Sequence, residues 1–135
     1  MSEFIDDIAA RLVGQGVGVI GTDLFLSSKA IIPAGDGPFT SLHETGGTGP
    51  THIHNQASAH TQRPTVQVLI RAADYPTARG KARAAYRALD GVFNTTINGT
   101  FYLSITARQE PTDIGLDGVA RPMVSFNIDA EKAPS

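Results

Sequence analysis

The chain has no cysteine. Disulfide staples, thiolate metal sites and a cysteine nucleophile are therefore excluded, and the fold must hold by packing alone. There is also no run approaching the ~20 apolar residues that cross a bilayer, and Met1 to Asp7 is acidic where a signal peptide would carry a basic stretch before an apolar one. The expectation is a cytosolic product without an export signal or membrane contact. A surplus of one charge is missing as well: the net charge is −2, with 41% hydrophobic and 18% charged residues. That balance excludes a disordered chain and a strongly basic nucleic-acid binder. At 135 residues, one domain spanning 1–135 is expected, burying roughly two-thirds of its unfolded surface.

The usual catalytic patterns are absent too. There is no G-x-S-x-G elbow, no G-x-x-x-x-G-K-[ST] phosphate loop, and neither an H-E-x-x-H nor an H-x-E pattern. The run Gly14-Gln15-Gly16-Val17-Gly18 follows a helical pattern rather than a strand, so it reads as a flexible connection and not as a dinucleotide fingerprint. Asp113 and Asp117 are close in sequence, but they sit in a Gly/Pro segment where acids are usually solvated.

What is present in concentration is histidine: His52, His54 and His60 account for three of the four in the chain. Extended backbone puts His52 and His54 on one face, and His60 would complete a zinc- or nickel-like set. Yet no Asp, Glu or Cys lies between Glu44 and Asp74 to act as a further ligand or a general base. Residues 46–63 are rich in Gly, Thr, Ser and Asn without apolar periodicity, which predicts a long flexible loop lacking the rigid surroundings a catalytic metal needs. A metal-binding enzyme using the three histidines is thus the minor alternative. No metal, no cofactor and no enzymatic activity are expected.

The coarse elements are legible. Phe4, Ile5, Ile8, Ala9, Leu12 and Val13 form one helical stripe, with Asp6, Asp7 and Arg11 away from it and an end at Gly14. Leu24 to Ile32 and Phe39 to Thr45 read as a weak β-hairpin around Ala34-Gly35-Asp36-Gly37-Pro38. Thr65 to Ala73 is a strand with Val66, Val68 and Ile70 on one face. Asp74 stands at the N-cap of an alanine-rich helix from Thr77 to Leu89, with Pro76 in its first turn.

That helix carries Arg79, Arg83 and Arg87 at i, i+4 and i+8, a row that fits a solvated face, an interface or an anion-binding ridge. Asn98-Gly99 marks a hairpin turn. Phe101 to Arg108 alternates, with Phe101, Leu103, Ile105 and Ala107 on one side. Glu110 to Gly118 breaks the pattern as a loop before a last strand, Pro122 to Asp129. The expected fold is α+β, a single mainly antiparallel β-sheet flanked by two α-helices.

From residue 64 onward an ordered set of features resembles a known family. The strand from Pro64, the Asp74-Tyr75-Pro76 helix start, the Ile97-Asn98-Gly99 turn, Gln109-Glu110-Pro111, Gly115-Leu116-Asp117 with Arg121, and the ending Phe126-Asn127-Ile128 occur in this order. The set looks like the tail-terminator and minor capsid (neck) proteins of long-tailed bacteriophages and prophages. Here Gly118-Val119-Ala120 stands where the family more usually has an acidic residue and Gly beside the Arg.

The resemblance implies a structural virion protein: a homo-oligomeric, hexameric ring that caps the tail tube and joins it to the head connector. It implies contact with the tube protein and a head-completion or connector protein, DNA passing only transiently, and a place in the tail-neck region after assembly in the host cytoplasm. Another head–tail joining neck protein would look similar. The candidate subunit or partner interface comprises Arg79, Arg83, Arg87, Asp113, Asp117 and Arg121, with the Arg79, Arg83, Arg87 ridge against the Asp113, Asp117 loop, because a head-to-tail ring needs complementary surfaces on separate elements.

Overall fold

The structure is a computed structural model that describes residues 4–26, 37–45, 48–53, 56–116 and 121–132, with the backbone course alone between 48 and 61. The helices are α1 (Phe4–Gly14) and α2 (Tyr75–Leu89). The strands are β1 (Leu24–Leu26), β2 (Phe39–Glu44), β3 (Thr48–Ile53), β4 (Gln56–Arg63), β5 (Thr65–Arg71), β6 (Val92–Ile97), β7 (Thr100–Ala107), β8 (Thr112–Leu116) and β9 (Pro122–Lys132). The α+β expectation holds, with a mostly antiparallel sheet and both helices on the same face of it.

The last strand organises the sheet. β9 pairs with β5 along one edge, from Thr65↔Asp129 to Arg71↔Met123. Along its other edge it pairs with β7 near its C-terminal end and with β8 near its start. β2 extends the sheet beyond β5, and β6 extends it beyond β7. On the helix-covered face Val66, Val68 and Ile70 stand beside Ile128, Phe126 and Val124, all fully buried. They join Ile5, Ile8 and Leu12 of α1 and Ala78, Ala82, Ala85 and Leu89 of α2 in one hydrophobic cluster. The alanine face of α2 lets the helix backbone approach the sheet closely, and Tyr86 packs edge-on against Phe126 at 5.8 Å.

Local signals explain the element ends. Asp74 accepts a hydrogen bond from the Thr77 amide at 2.9 Å, as an N-cap should. α1 closes with Gly16 at φ 74°, the Val17 amide donating to the Leu12 carbonyl and the Gly16 amide to that of Val13. This is a Schellman closure, with buried Val17 as its apolar contact. The glycine run is therefore a formed cap and not a loose connection. Asn98 and Gly99 both take positive φ, 50° and 81°, as a two-residue β6–β7 turn requires.

Four expectations are corrected. β1 and β2 pair in parallel, Leu24↔Thr40 to Leu26↔Leu42, and not as a hairpin, because the connection between them is long enough for the chain to return in the same direction. The expected loop at 46–63 is largely a second hairpin, β3–β4. The expected loop after Glu110 contains β8, whose five residues are all exposed and so carry no apolar alternation to read. Asp7, placed on the polar side of α1, is completely buried.

The burial of Asp7 has a polar explanation. Its carboxylate accepts a hydrogen bond from the Tyr102 hydroxyl and another, at 3.1 Å, from the Asn98 amide. Burial first, and then the Asp7 hydrogen bond and charge, push the Tyr102 phenol far above its usual range. Alternation had put Tyr102 and Ile105 on opposite sides of their strand. An irregularity in the β7–β9 pairing between Tyr102 and Ser104, together with Asn94 at φ 49°, shifts the inward set to Tyr102 and Ile105, three residues apart.

Candidate functional site

The arginine row on α2 forms a shallow cavity of about 160 Å³ with neighbouring chain. Arg79, Arg83, Tyr86 and Arg87 line one side, and Glu110 and Pro111 the other. The three arginines do not have equal freedom. The Arg79 guanidinium donates to the Pro111 carbonyl and lies over the Tyr75 ring, 5.9 Å from its centroid, so it braces the segment leading into β8. Arg83 and Arg87 are exposed and make no hydrogen bond or ion pair among the described residues. On the same side as the arginines, the pKa of the Tyr86 phenol is raised, by the Asp90 charge first, then by burial and by the Glu110 charge.

The other described cations are occupied. Arg11 donates to the Ala88 carbonyl at 3.0 Å, and Lys81 bonds the Val17 carbonyl and sits 3.5 Å from Asp23. Arg108 grips Asp129 through two bonds of 3.0 and 2.6 Å, and Arg63 faces Glu131 at 3.7 Å. Arg71, Arg121 and Lys132 also have partners. The unspent positive charge of the described chain is therefore concentrated on one exposed turn of α2.

The acidic side of the expected pair is only partly described. Asp113 lies exposed on β8 with its carboxylate accepting from the Gly115 amide at 2.9 Å, a local turn that leaves its second oxygen to solvent. Asp117 lies outside the described residues. Arg121 is half-buried just before β9. Arg79 thus braces the segment leading into β8, which carries Asp113, while Arg83 and Arg87 line the cavity facing Glu110 without a hydrogen bond or ion pair among the described residues.

For the histidines, the β3–β4 register sets His52 directly opposite His60, and His54 lies outside the described residues. Among the described residues no group of three or more His, Asp or Glu could hold a metal ion, and no helix is long and apolar enough to cross a membrane. His43 sits in β2 with Ser41 Oγ 2.9 Å from its Nε2, and burial lowers its pKa.

An apolar surface went unread in the sequence. Phe93, Phe101 and Leu103 on the β6–β7 hairpin are 58%, 41% and 38% exposed, and Ile114 and Leu116 of β8 are exposed as well. Alternation had put Phe101 and Leu103 on a single face with buried Ile105, and the irregularity near Tyr102 is what turns them outward. Isolated strand patterns carry no signal for such a shift.

Comparison with known proteins gives this surface a context. The model of a family described as bacteriophage tail terminator protein matches residues 11–133. The chain belongs to that family. It is therefore a structural component of a phage-type virion, and the resemblance read from residue 64 onward extends over nearly the whole chain. No curated protein matches it. A solved chain described as "Virion of native gene transfer agent (GTA) particle" shares the fold, with a TM-score of 0.62 and 15% identity, over 98% of this chain and 100% of that one.

Proposed function

We propose that the chain assembles as a homo-hexameric ring that caps the phage tail tube and joins it to the head connector. The observation that carries this reading is the family match across residues 11–133. The unspent cations of α2 fit it. A ring subunit needs a surface whose complement lies elsewhere on its neighbour, and Arg83 and Arg87 are a charged pair without an internal complement among the described residues. Their partners in a neighbouring copy are the carboxylates around Asp113 and Asp117, with Arg79 and Arg121 holding β8 and the start of β9 in place. The remaining partners are the tube protein and a head-completion or connector protein, met in the host cytoplasm during assembly of the neck. DNA passes the ring transiently, held by neither cofactor nor metal.

The test is the native mass of the purified chain, alone and mixed with tail tubes, followed by Arg83→Glu. A mass of six 14.2 kDa chains, or a ring seen at tube ends, is the expected result. Charge reversal at Arg83 should reduce the assembled fraction at least tenfold in low salt, with less effect in high salt. A chain that stays monomeric in both settings and leaves tube length unchanged would sink the proposal. Rings unaffected by the reversal would remove the arginine contact while keeping the ring.

A further inference from the structure

We infer that the β3–β4 hairpin of one copy seats on the β6–β7 hairpin of the next. The inference rests on the ring reading and specifies a contact that the ring would use.

Four observations lead to it. The first concerns position. β4 continues into β5 in one register against β9, through Gln62↔Lys132 and the Ala130 amide bonding the Pro64 carbonyl. Residues 56–61 therefore run on past the described end of β9, an arm of about 20 Å at ~3.3 Å per residue. On the other edge of β9, Tyr102 also pairs with Lys132, so the Asn98-Gly99 turn lies beyond the same end. The two hairpins thus extend from one end of the central strand on its opposite edges.

The second observation is charge. Residues 45–62 and 91–107 each contain no Lys, Arg, Asp or Glu, whereas the whole chain is 18% charged. Two stretches of that length would each be expected to hold roughly three charges at that frequency. Both charge-free stretches fall on the two projecting hairpins, so neither surface carries an ionic group to desolvate when they meet.

The third is support. Among the described residues β3 packs substantially against β4 alone, with no helix or further strand beneath it. A two-stranded ribbon of small polar residues is marginally stable in water and gains most from added pairing or packing. The fourth is the receiving surface. Among the described residues β6 pairs only with β7, leaving its outer edge open, and Phe93, Phe101 and Leu103 are exposed on that hairpin. An open edge beside exposed aromatics is a surface that natural proteins cover.

Because arm and receiver are different surfaces on opposite edges of β9, the contact is heterologous. Repeated head to tail, such a contact closes into a ring when the rotation permits. A second copy is the occupant that these features select, since each chain carries both halves.

The absence of native cysteine allows a clean test by disulfide trapping in the full chain. Ser58→Cys in the arm and Thr96→Cys on exposed β6 are combined in one chain, oxidised under assembling conditions and run without reductant. The expected result is a ladder up to the ring size, no ladder from either single variant, and none from Ser58→Cys combined with Gln15→Cys, an exposed position outside both proposed contacts. In parallel Phe93→Asp should cut the assembled fraction at least tenfold while leaving the monomer's urea midpoint unchanged. Rings that form without the ladder and survive Phe93→Asp would overturn this contact and leave the ring reading intact. A wild-type chain that is monomeric alone and with tail tubes would overturn both.

Discussion

Along β5 and β9, Val66, Val68, Ile70, Val124, Phe126 and Ile128 are wholly buried, whereas a few residues further along the same sheet Phe93 and Phe101 stand exposed and β3, among the described residues, packs substantially against β4 alone. The first region is held by a helix layer that covers one face of the sheet. The second consists of the β3–β4 ribbon and of the outward side chains and turn of β6–β7, whose inward Val92, Tyr102 and Ile105 still belong to the covered core. Folding stability therefore resides in the covered part, and the extending part contributes little to it. What the ribbons offer instead is surface whose burial is completed by another molecule.

That contrast can be broken most severely at Asp7, where α1 is tied to the β6–β7 turn. Asp7→Ala removes the acceptor for Tyr102 and Asn98 and leaves the buried Tyr102 hydroxyl unsatisfied, while the exposed Asn98 amide turns to water, so a loss of about 2 kcal/mol is expected in urea unfolding. Thr96→Ala on the exposed hairpin should change stability by no more than about 0.5 kcal/mol in the same measurement. Equal losses at the two sites would mean that the hairpins belong to the stable unit after all.

A smaller effect is expected at the helix end. Gly16 has φ 74° with open space around it, so Gly16→Ala meets backbone strain without a clash and should cost about 1 kcal/mol, seen as a lower melting temperature. The smallest effect is pH-dependent. Burial holds the His43 imidazole below its ordinary value of 6.5, so the unfolded chain binds that proton first. Stability from this source is complete above pH 6.5 and declines as pH falls from there through the lowered folded value. His43→Gln should flatten the unfolding midpoint over that window, and an unchanged slope would show that His43 is not its source.

How much was legible depends on whether a residue's fate is settled by its neighbours in sequence. Val66, Val68 and Ile70, the Asp74 cap, the alanine face of α2 and the Asn98-Gly99 turn were all readable, because periodicity and backbone preference act over a few residues. The family was readable for the same reason, since its features are local motifs in a fixed order. Arg79, Arg83 and Arg87 were readable as a row, but their division into one brace and two unspent cations was not. That division depends on Pro111 approaching from 32 residues away.

The strands that were missed share a physical cause. β8 is exposed throughout and residues 48–63 show no apolar alternation in sequence, so their pairing comes from backbone hydrogen bonds that any sequence can make. Asp7 failed as a prediction because a buried carboxylate is tolerated only where donors converge, and Tyr102 and Asn98 lie more than 90 residues away.

Sequence by itself determined the α+β class, the two helices with the Asp74 cap of the second, the core strands and the family, through signals that short-range sterics and burial period write into adjacent residues. Only the tertiary structure decided which side chains were left over: Arg83 and Arg87, without a partner among the described residues, the outward Phe93 and Phe101, and the placing of the two charge-free stretches at one end of β9. A surface left unsatisfied is defined by what the rest of the chain fails to reach, and that is settled only once all the long-range pairings are in place.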